Sequence, residues 1–419
     1  MLFPNARARR RTLAWLVALG ATMAALWAAN GHAYAQASTP HGTRHGSKAT
    51  ATHKRKATAT HKRKATAKHK KSRHRVRRNS GKHHKGKSGS SGKPSGSSGS
   101  SGSASSSGSS GSSGSGKPAG PPPTGLSSGS YTNSGGTLTY EVYVPTNYHA
   151  GTPLPVVVAL HGCGITADTY RQVAGWDTYA QSKGFIVLLP QQSSSRNYLT
   201  CWNWFQQADM QRGSGEPAII AGMVNMVEQH YTVDTQRVYV AGFSAGGAMA
   251  NVMAATYPDV FAAVGSGSGC EYNGLPCVGY QGPDPTQAGQ QAYQAMGKYA
   301  RMMPAIVFQG TSDSVVAPAN GPEIVKEWQM TDDMVLSGSE NGPLSTYPMK
   351  SNFAWVPNGR MYTVSSYPDN HGNELIEYWS INGMDHAWSG GASGFQYSDP
   401  SGPSETDAMW TFFSNHPMP

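Results

Sequence analysis

Gly242-Phe243-Ser244-Ala245-Gly246 follows the apolar run Val238-Tyr239-Val240-Ala241 and precedes the small-residue stretch Gly247-Ala248-Met249-Ala250-Asn251-Val252-Met253. The pattern is strand, sharp turn, helix. It demands a fold in which a buried strand ends in a tight bend and a helix packs back beside it. Glycines on both sides let the backbone bend and keep side chains out of the way. A serine at such a turn stands at the top of a sheet with a helix N-terminus behind it, which is the placing of a nucleophile.

The charge is unevenly spread. Residues 1–124 carry 24 Lys and Arg and no acid, whereas residues 125–419 carry 10 Lys and Arg against 23 Asp and Glu. The overall +11 therefore describes neither part. Arg7, Arg9, Arg10 and Arg11 precede the apolar stretch 13–29, and Ala33-Tyr34-Ala35 offers small residues for cleavage. Residues 1–35 are read as a signal peptide and the chain as secreted, to the cell exterior or the periplasm.

His53, His61 and His69 mark a basic repeat of eight residues, and residues 88–119 are almost wholly Ser and Gly. Such segments have little to bury, so 36–125 is expected to be a disordered basic repeat and linker. No fixed metal cage is expected from its histidines. The run would adsorb to anionic surfaces, with salt dependence. It lacks the interleaved aromatics that stack on bases, so no specific nucleic acid is expected.

Residues 126–419 suffice for one large domain, expected as a monomer. Thr137–Val144 alternates as an edge strand does. Leu154–Leu160, Phe185–Leu189, Arg237–Ala241, Phe261–Val264 and Ala305–Phe308 read as buried strands. Met361–Ser366 and Leu375–Ile381 continue the series. Ala218–His230 has helical periodicity, and Ser404 with Asp407 caps a final helix to Phe413. Strands alternating with helices give an α/β class, a mostly parallel sheet with helices on both faces.

Two further segments join the serine. Leu160-His161-Gly162-Cys163-Gly164 follows the strand 154–160. An acyl-transfer site needs two backbone N–H groups aimed where the oxyanion forms, and Cys163 and Ala245 are the expected donors. His161 is read as shaping this loop rather than as the base. Gly310-Thr311-Ser312-Asp313 follows the strand at 305–308, and Asp385-His386-Ala387-Trp388 follows the one at 375–381. Asp313 can fix the tautomer of His386, and His386 can take the Ser244 proton. The order Ser244, Asp313, His386 is that of the α/β-hydrolase fold. The chemistry requires no metal and no organic cofactor.

Asp385 is read as a supporting residue at best. Asp332 and Asp333 are expected to face solvent, His371 to sit in a turn, and His230 to end a helix. Four cysteines in an exported chain permit disulfides, and spacing leaves three pairings open. Cys270 and Cys277 can close a small loop, which leaves Cys163 with Cys201. A nucleophilic Cys163 is the competing reading of that residue.

Taken together, these residues resemble the secreted polyhydroxybutyrate depolymerase-like esterases, a family that includes polyester depolymerases, feruloyl esterases and acetyl xylan esterases. The resemblance covers roughly 130–415. It rests on the His161-Gly162-Cys163-Gly164 loop, Cys201-Trp202-Asn203-Trp204, Gly242–Met249, Gln309-Gly310 with Asp313, and His386-Ala387-Trp388. It implies the triad Ser244, Asp313 and His386, the Cys163 amide in the oxyanion hole, and the Cys163–Cys201 bridge. Gln309 stands where the family often has histidine, and Ser389 where proline often follows the tryptophan. Neither departure is expected to touch the chemistry.

Trp202, Trp204 and Trp388 are expected to wall an apolar substrate cleft. The expected function is a secreted serine carboxylic-ester hydrolase acting through an acyl-enzyme on short-acyl, aromatic or hydroxyalkanoate esters, possibly polymeric. A poly(3-hydroxybutyrate) depolymerase proper is one alternative. An anionic-polymer-binding protein with a degenerate hydrolase domain is another. The chain stops soon after its last expected helix, with no appended polymer-binding domain, so soluble esters are expected to be cleaved faster than solid polyester.

Overall fold

The structure is a computed structural model that describes residues 123–279, 282–339 and 341–419. The segment read as a signal peptide, the basic repeat and the Ser/Gly spacer lie outside the described residues.

The chain opens with β1 (Gly125–Asn133) and β2 (Gly136–Val144), an antiparallel hairpin. The β-α alternation then begins with β3 (Leu154–Leu160), α1 (Ala167–Ala174), α2 (Trp176–Lys183) and β4 (Ile186–Gln191). It continues through α3 (Gly215–His230), β5 (Val233–Phe243), α4 (Ala245–Thr256) and β6 (Val264–Gly267). Next come α5 (Pro285–Met296), β7 (Ala305–Gly310) and α6 (Asn320–Ser337). The last elements of the main sheet are β8 (Lys350–Trp355), β9 (Met361–Pro368) and β10 (Glu374–Ile381), before the closing helix α7 (Glu405–Ser414).

Ten strands form one sheet in the order β1-β2-β4-β3-β5-β6-β7-β10-β9-β8. The run from β4 to β10 is parallel, and antiparallel strands finish both edges. The central strands are apolar without alternation because both faces are covered. On β3, Val156, Val158 and Leu160 pack with side chains of α3, α4 and α6, whereas Val157 and Ala159 pack with those of α1, α2 and α7. After β4 the chain crosses over β3 to β5, so the strand order reverses between β3 and β5. In open α/β sheets ligands sit beyond the carboxyl ends of the strands at this reversal. The loop at 161–164 and the turn at Ser244 both lie there, since Leu160 pairs with Gly242.

Three readings need correction. The strand expected at 261–264 is β6 at Val264–Gly267, with Phe261 to Ala263 buried ahead of it. Gly265, Ser266 and Gly267 have weak strand preference, and packing by α4 overrides it. Strands β1 and β8 are additional to the expected ones: β1 carries few apolar residues, and the large apolar side chains of β8 are exposed. Asp332 and Asp333 are buried, not solvent-facing. Each has a backbone amide to bind: Asp332 accepts from Met303 N–H and Asp333 from Leu344 N–H, both at 2.9 Å. His371 does sit in an exposed turn, and His230 ends α3 with Nδ1 2.7 Å from Met226 O.

The core also holds buried carboxyls. Burial pushes Glu327 up to about 8. Burial first, and negative neighbours second, raise Glu216 and Glu271 as well. The folded state therefore keeps protons that the unfolded chain releases above about pH 4.5. Stability from these groups is full below that pH and is lost as pH rises through their folded values. The midpoint of thermal unfolding is expected to fall between pH 6 and 9, at up to ~1.4 kcal/mol per pH unit for each titrating group. Glu327→Gln should flatten the slope. A midpoint that rises over this range would contradict the assignment.

Candidate active site

Ser244 joins β5 to α4 with φ 56° and ψ −122°, a conformation that L-residues rarely adopt. Its amide donates to Gly267 O at 2.8 Å. The bend is possible because a Cβ on Gly246 would stand 1.9 Å from Leu160 O. Only glycine lets the helix start so close to the end of β3. Such strain persists only where the surroundings over-determine it.

Ser244 Oγ lies 2.9 Å from His386 Nε2, and His386 Nδ1 lies 2.9 Å from Asp313 Oδ2. All three are buried. Asp313 follows β7 and His386 follows β10, which are neighbours in the sheet. Asp313 Oδ1 accepts from the amides of Val315 and Val316, each at 2.9 Å. An aspartate so held accepts from Nδ1–H and leaves Nε2 free to accept the serine proton. Phe243 lies against the imidazole, with ring centres 4.9 Å apart.

The two loops are tied to each other. Thr311 N–H donates to Ile381 O and Ser312 N–H to Met384 O, both at 3.0 Å. Asp385 Oδ1 accepts from Ser314 N–H at 3.0 Å, Ser314 Oγ–H at 2.8 Å and His386 N–H at 2.8 Å. Burial pushes the Asp385 carboxyl up. The Ser314 amide, the His386 amide and the Ser314 hydroxyl outweigh it and hold the carboxyl below its usual range. Asp385 is thus a latch between the loop of the acid and the loop of the base. Gln309 also reaches the triad, donating from Nε2 to Asp313 Oδ2 at 3.0 Å. The expectation that Gln309 stands apart from the chemistry is corrected by that contact.

Behind the base, Glu405 opens α7 and is buried. Its Oε2 accepts from Ser389 N–H at 3.0 Å. Its Oε1 faces Gly267, where a Cβ would approach to 2.1 Å. Burial raises this carboxyl well above the ordinary range, so it serves as a neutral acid. It wedges between the strand that receives the Ser244 amide and the segment that follows His386. Nothing local in the sequence marks Glu405; only its place at a helix start was readable.

The loop at 161–164 is braced from several sides. Gln192 N–H donates to His161 Nε2 at 3.0 Å, which leaves Nδ1 to carry the proton to Gly162 O at 2.8 Å. Burial lowers His161 to about 4, so the ring is neutral and both nitrogens are occupied. Cys163 is bonded to Cys201, and Cys270 to Cys277. Trp202 Nε1–H donates to His161 O at 3.0 Å, and Gly164 N–H donates to Leu199 O at 2.9 Å. Glu216 holds the other end, accepting from Asn203 N–H at 2.8 Å. Gly162 lies against the nucleophile: a Cβ there would be 3.3 Å from Ser244 Cβ.

The expectation that Trp202, Trp204 and Trp388 wall a substrate cleft is corrected. All three are buried. Trp388 packs edge-on to Tyr170 at 5.3 Å and donates from Nε1 to Thr406 Oγ1 at 3.0 Å. Trp204 packs on Phe205 at 5.1 Å. Their rings brace the loops around the site and present no open face to a ligand.

Replacing Asp385 by Ala is expected to lower kcat by roughly tenfold to a hundredfold with KM little changed, because the imidazole loses its anchor. Asp385→Asn keeps an acceptor oxygen and should recover most of the rate. Equal kinetics for both variants and wild type would remove the latch from the account.

The family model for esterase PHB depolymerase matches residues 138–337. Poly(3-hydroxyalkanoate) depolymerase C of Paucimonas lemoignei is 35% identical over 265 residues, covering 61% of this chain and 59% of the relative. The chain thus spans less than two thirds of that enzyme. Acetylxylan esterase A of Talaromyces purpureogenus is 32% identical over 277 residues, covering 60% of this chain and 69% of the relative. Feruloyl esterase B of Neurospora crassa is 33% identical over 262 residues, covering 56% and 82%. Among solved structures, an acetyl xylan esterase from Aspergillus awamori aligns with a TM-score of 0.53 and 23% identity over 68% of this chain and 99% of that one, a likeness of fold.

Proposed function

Because the chain belongs to the esterase PHB depolymerase family, we propose that it is an exported serine esterase that cleaves carboxylic esters through an acyl-enzyme on Ser244. The observation that carries this is the continuous relay from Ser244 Oγ through His386 to Asp313. Ser244 Oγ attacks the ester carbonyl carbon while His386 Nε2 takes its proton. The tetrahedral intermediate collapses, and the departing alcohol takes that proton from His386. Water then attacks the acyl group with His386 as base. The acid leaves and the serine hydroxyl is restored.

The amides of Cys163 and Ala245 are the proposed oxyanion donors. Neither has a protein acceptor among the described residues. Losing one such donor costs ~3 kcal/mol in the transition state. The Cys163–Cys201 bridge and the neutral His161 support the first donor by fixing its loop.

The substrates are proposed to be short-acyl, aromatic or hydroxyalkanoate esters, including polymeric ones. Export rests on the basic and apolar pattern of residues 1–35. The basic segment 38–118 is proposed to adsorb to anionic surfaces. A binding protein with a dead hydrolase domain is disfavoured by a relay with all three members in hydrogen-bond contact.

Ser244→Ala in the full chain is expected to fold normally and to lose turnover of a short chromogenic ester by roughly four orders of magnitude. A peptide substrate run in parallel should be cleaved poorly by the wild type. Undiminished ester turnover in the variant would overturn the reading.

A further inference from the structure

Eight large apolar side chains are exposed among the described residues, and five of them fall between positions 347 and 361: Tyr347, Met349, Phe353, Trp355 and Met361. Single exposed apolar residues need no explanation, but a cluster does. Phe353 is 64% exposed and Trp355 65%, and both lie on β8, the edge strand of the sheet. Met349, Phe353 and Trp355 stand at alternate positions and so share one face. The Met349 amide donates to Ser366 O at 2.8 Å, which extends the strand pairing to that residue. Trp355 pairs with Met361 across the hairpin.

One end of the stripe, at Trp355 and Met361, lies at the catalytic end of the sheet. Strand β8 is antiparallel to β9, and β9 to β10, so β8 points the same way as β10. Trp355 therefore stands at the end where β10 leads into the His386 loop. Arg360 Nη1–H, in the hairpin tip, donates to Gly383 O of that loop at 2.6 Å. Two strand spacings, roughly 10 Å, separate β8 from β10.

We propose that this stripe is an adsorption face for the surface of an uncharged aliphatic polyester, delivering polymer chain to Ser244. The inference rests on the ester-hydrolase reading and names the substrate class of that same site. Three observations favour this occupant. Residues 341–368 contain no Asp or Glu, and Lys350 and Arg360 are their only charges, although acids outnumber bases across residues 125–419. Ester cleavage leaves carboxylates on the polymer surface, and an acid-free stripe avoids repelling them. Two of the five side chains are methionines, flexible and apolar, which suit an irregular aliphatic surface. The chain's own N-terminal segment is a poor cover, because Val76 is the one large apolar residue between 38 and 122.

The test compares the full chain with a Phe353→Ser, Trp355→Ser double variant on three substrates: a poly(3-hydroxyalkanoate) film, acetylated xylan particles and a soluble chromogenic ester. The variant should keep soluble-ester kcat/KM within about twofold, as exposed positions permit. It should be retained on the film roughly tenfold less than wild type and erode it correspondingly more slowly. Equal retention of both proteins on the film would overturn the proposal and leave the esterase reading standing. Retention on xylan that the variant loses, with film retention unchanged, would assign the stripe to a polysaccharide instead. A wild-type dimer that the variant abolishes, again with unchanged film retention, would assign it to a second copy of the chain. Failure of the wild type on the soluble ester would defeat the esterase reading itself, while the retention comparison still decides the stripe. Should the double variant lose soluble-ester turnover, Trp355→Ala is read on the same film for the same drop in retention, and its absence would overturn the proposal.

Discussion

The close approach of Gly246 to the end of β3 is the contact from which the site follows. With no Cβ between them, the start of α4 lies directly on Leu160 O. That contact brings the turn of Ser244 beside the loop of Cys163, where the order of the parallel strands reverses between β3 and β5. The unusual backbone of Ser244 is held from the other side by Gly267 O. A larger residue at 246 would have to push β3 and α4 apart. The serine and the amide proposed to serve it would then separate together.

Around that contact the protein controls charge by burial. Asp313 accepts from the backbone amides of Val315 and Val316. Asp385 is surrounded by amides and a hydroxyl, which favour its ionised form. Glu405 and His161 are buried among few donors or with both nitrogens occupied, and are kept neutral. Asp313 is the carboxyl group that faces the base directly. A neutral acid wedges the backbone behind it. The bracing tryptophans complete this dry surround, which strengthens each interaction inside it.

Much of this was legible in the sequence because it is local. The glycine-flanked serine, the strand before it and the loop residues after β7 and β10 each sit in a short segment whose pattern has one physical reading. The order of the segments then names the partners. What escaped reading depends on packing between distant segments. Glu405 looks like an ordinary helix-start acid until Ser389 and Gly267 close on it. Asp332 and Asp333 look solvated until Met303 and Leu344 offer their amides. Trp202 and Trp388 look like ligand walls, since an aromatic beside a catalytic loop either faces a ligand or braces the loop. Strand β6 is too rich in glycine and serine to declare itself, and β8 is a short edge strand whose large apolar side chains face outward.

The central claim is that Ser244 is a nucleophile made reactive by His386. The most direct measurement is intact and peptide mass spectrometry after exposure to an organophosphorus ester at neutral pH. One covalent adduct per chain is expected, located on Ser244, and little or none in a His386→Ala variant at the same exposure. An adduct elsewhere, or equal labelling of Ser244 without the histidine, would contradict it.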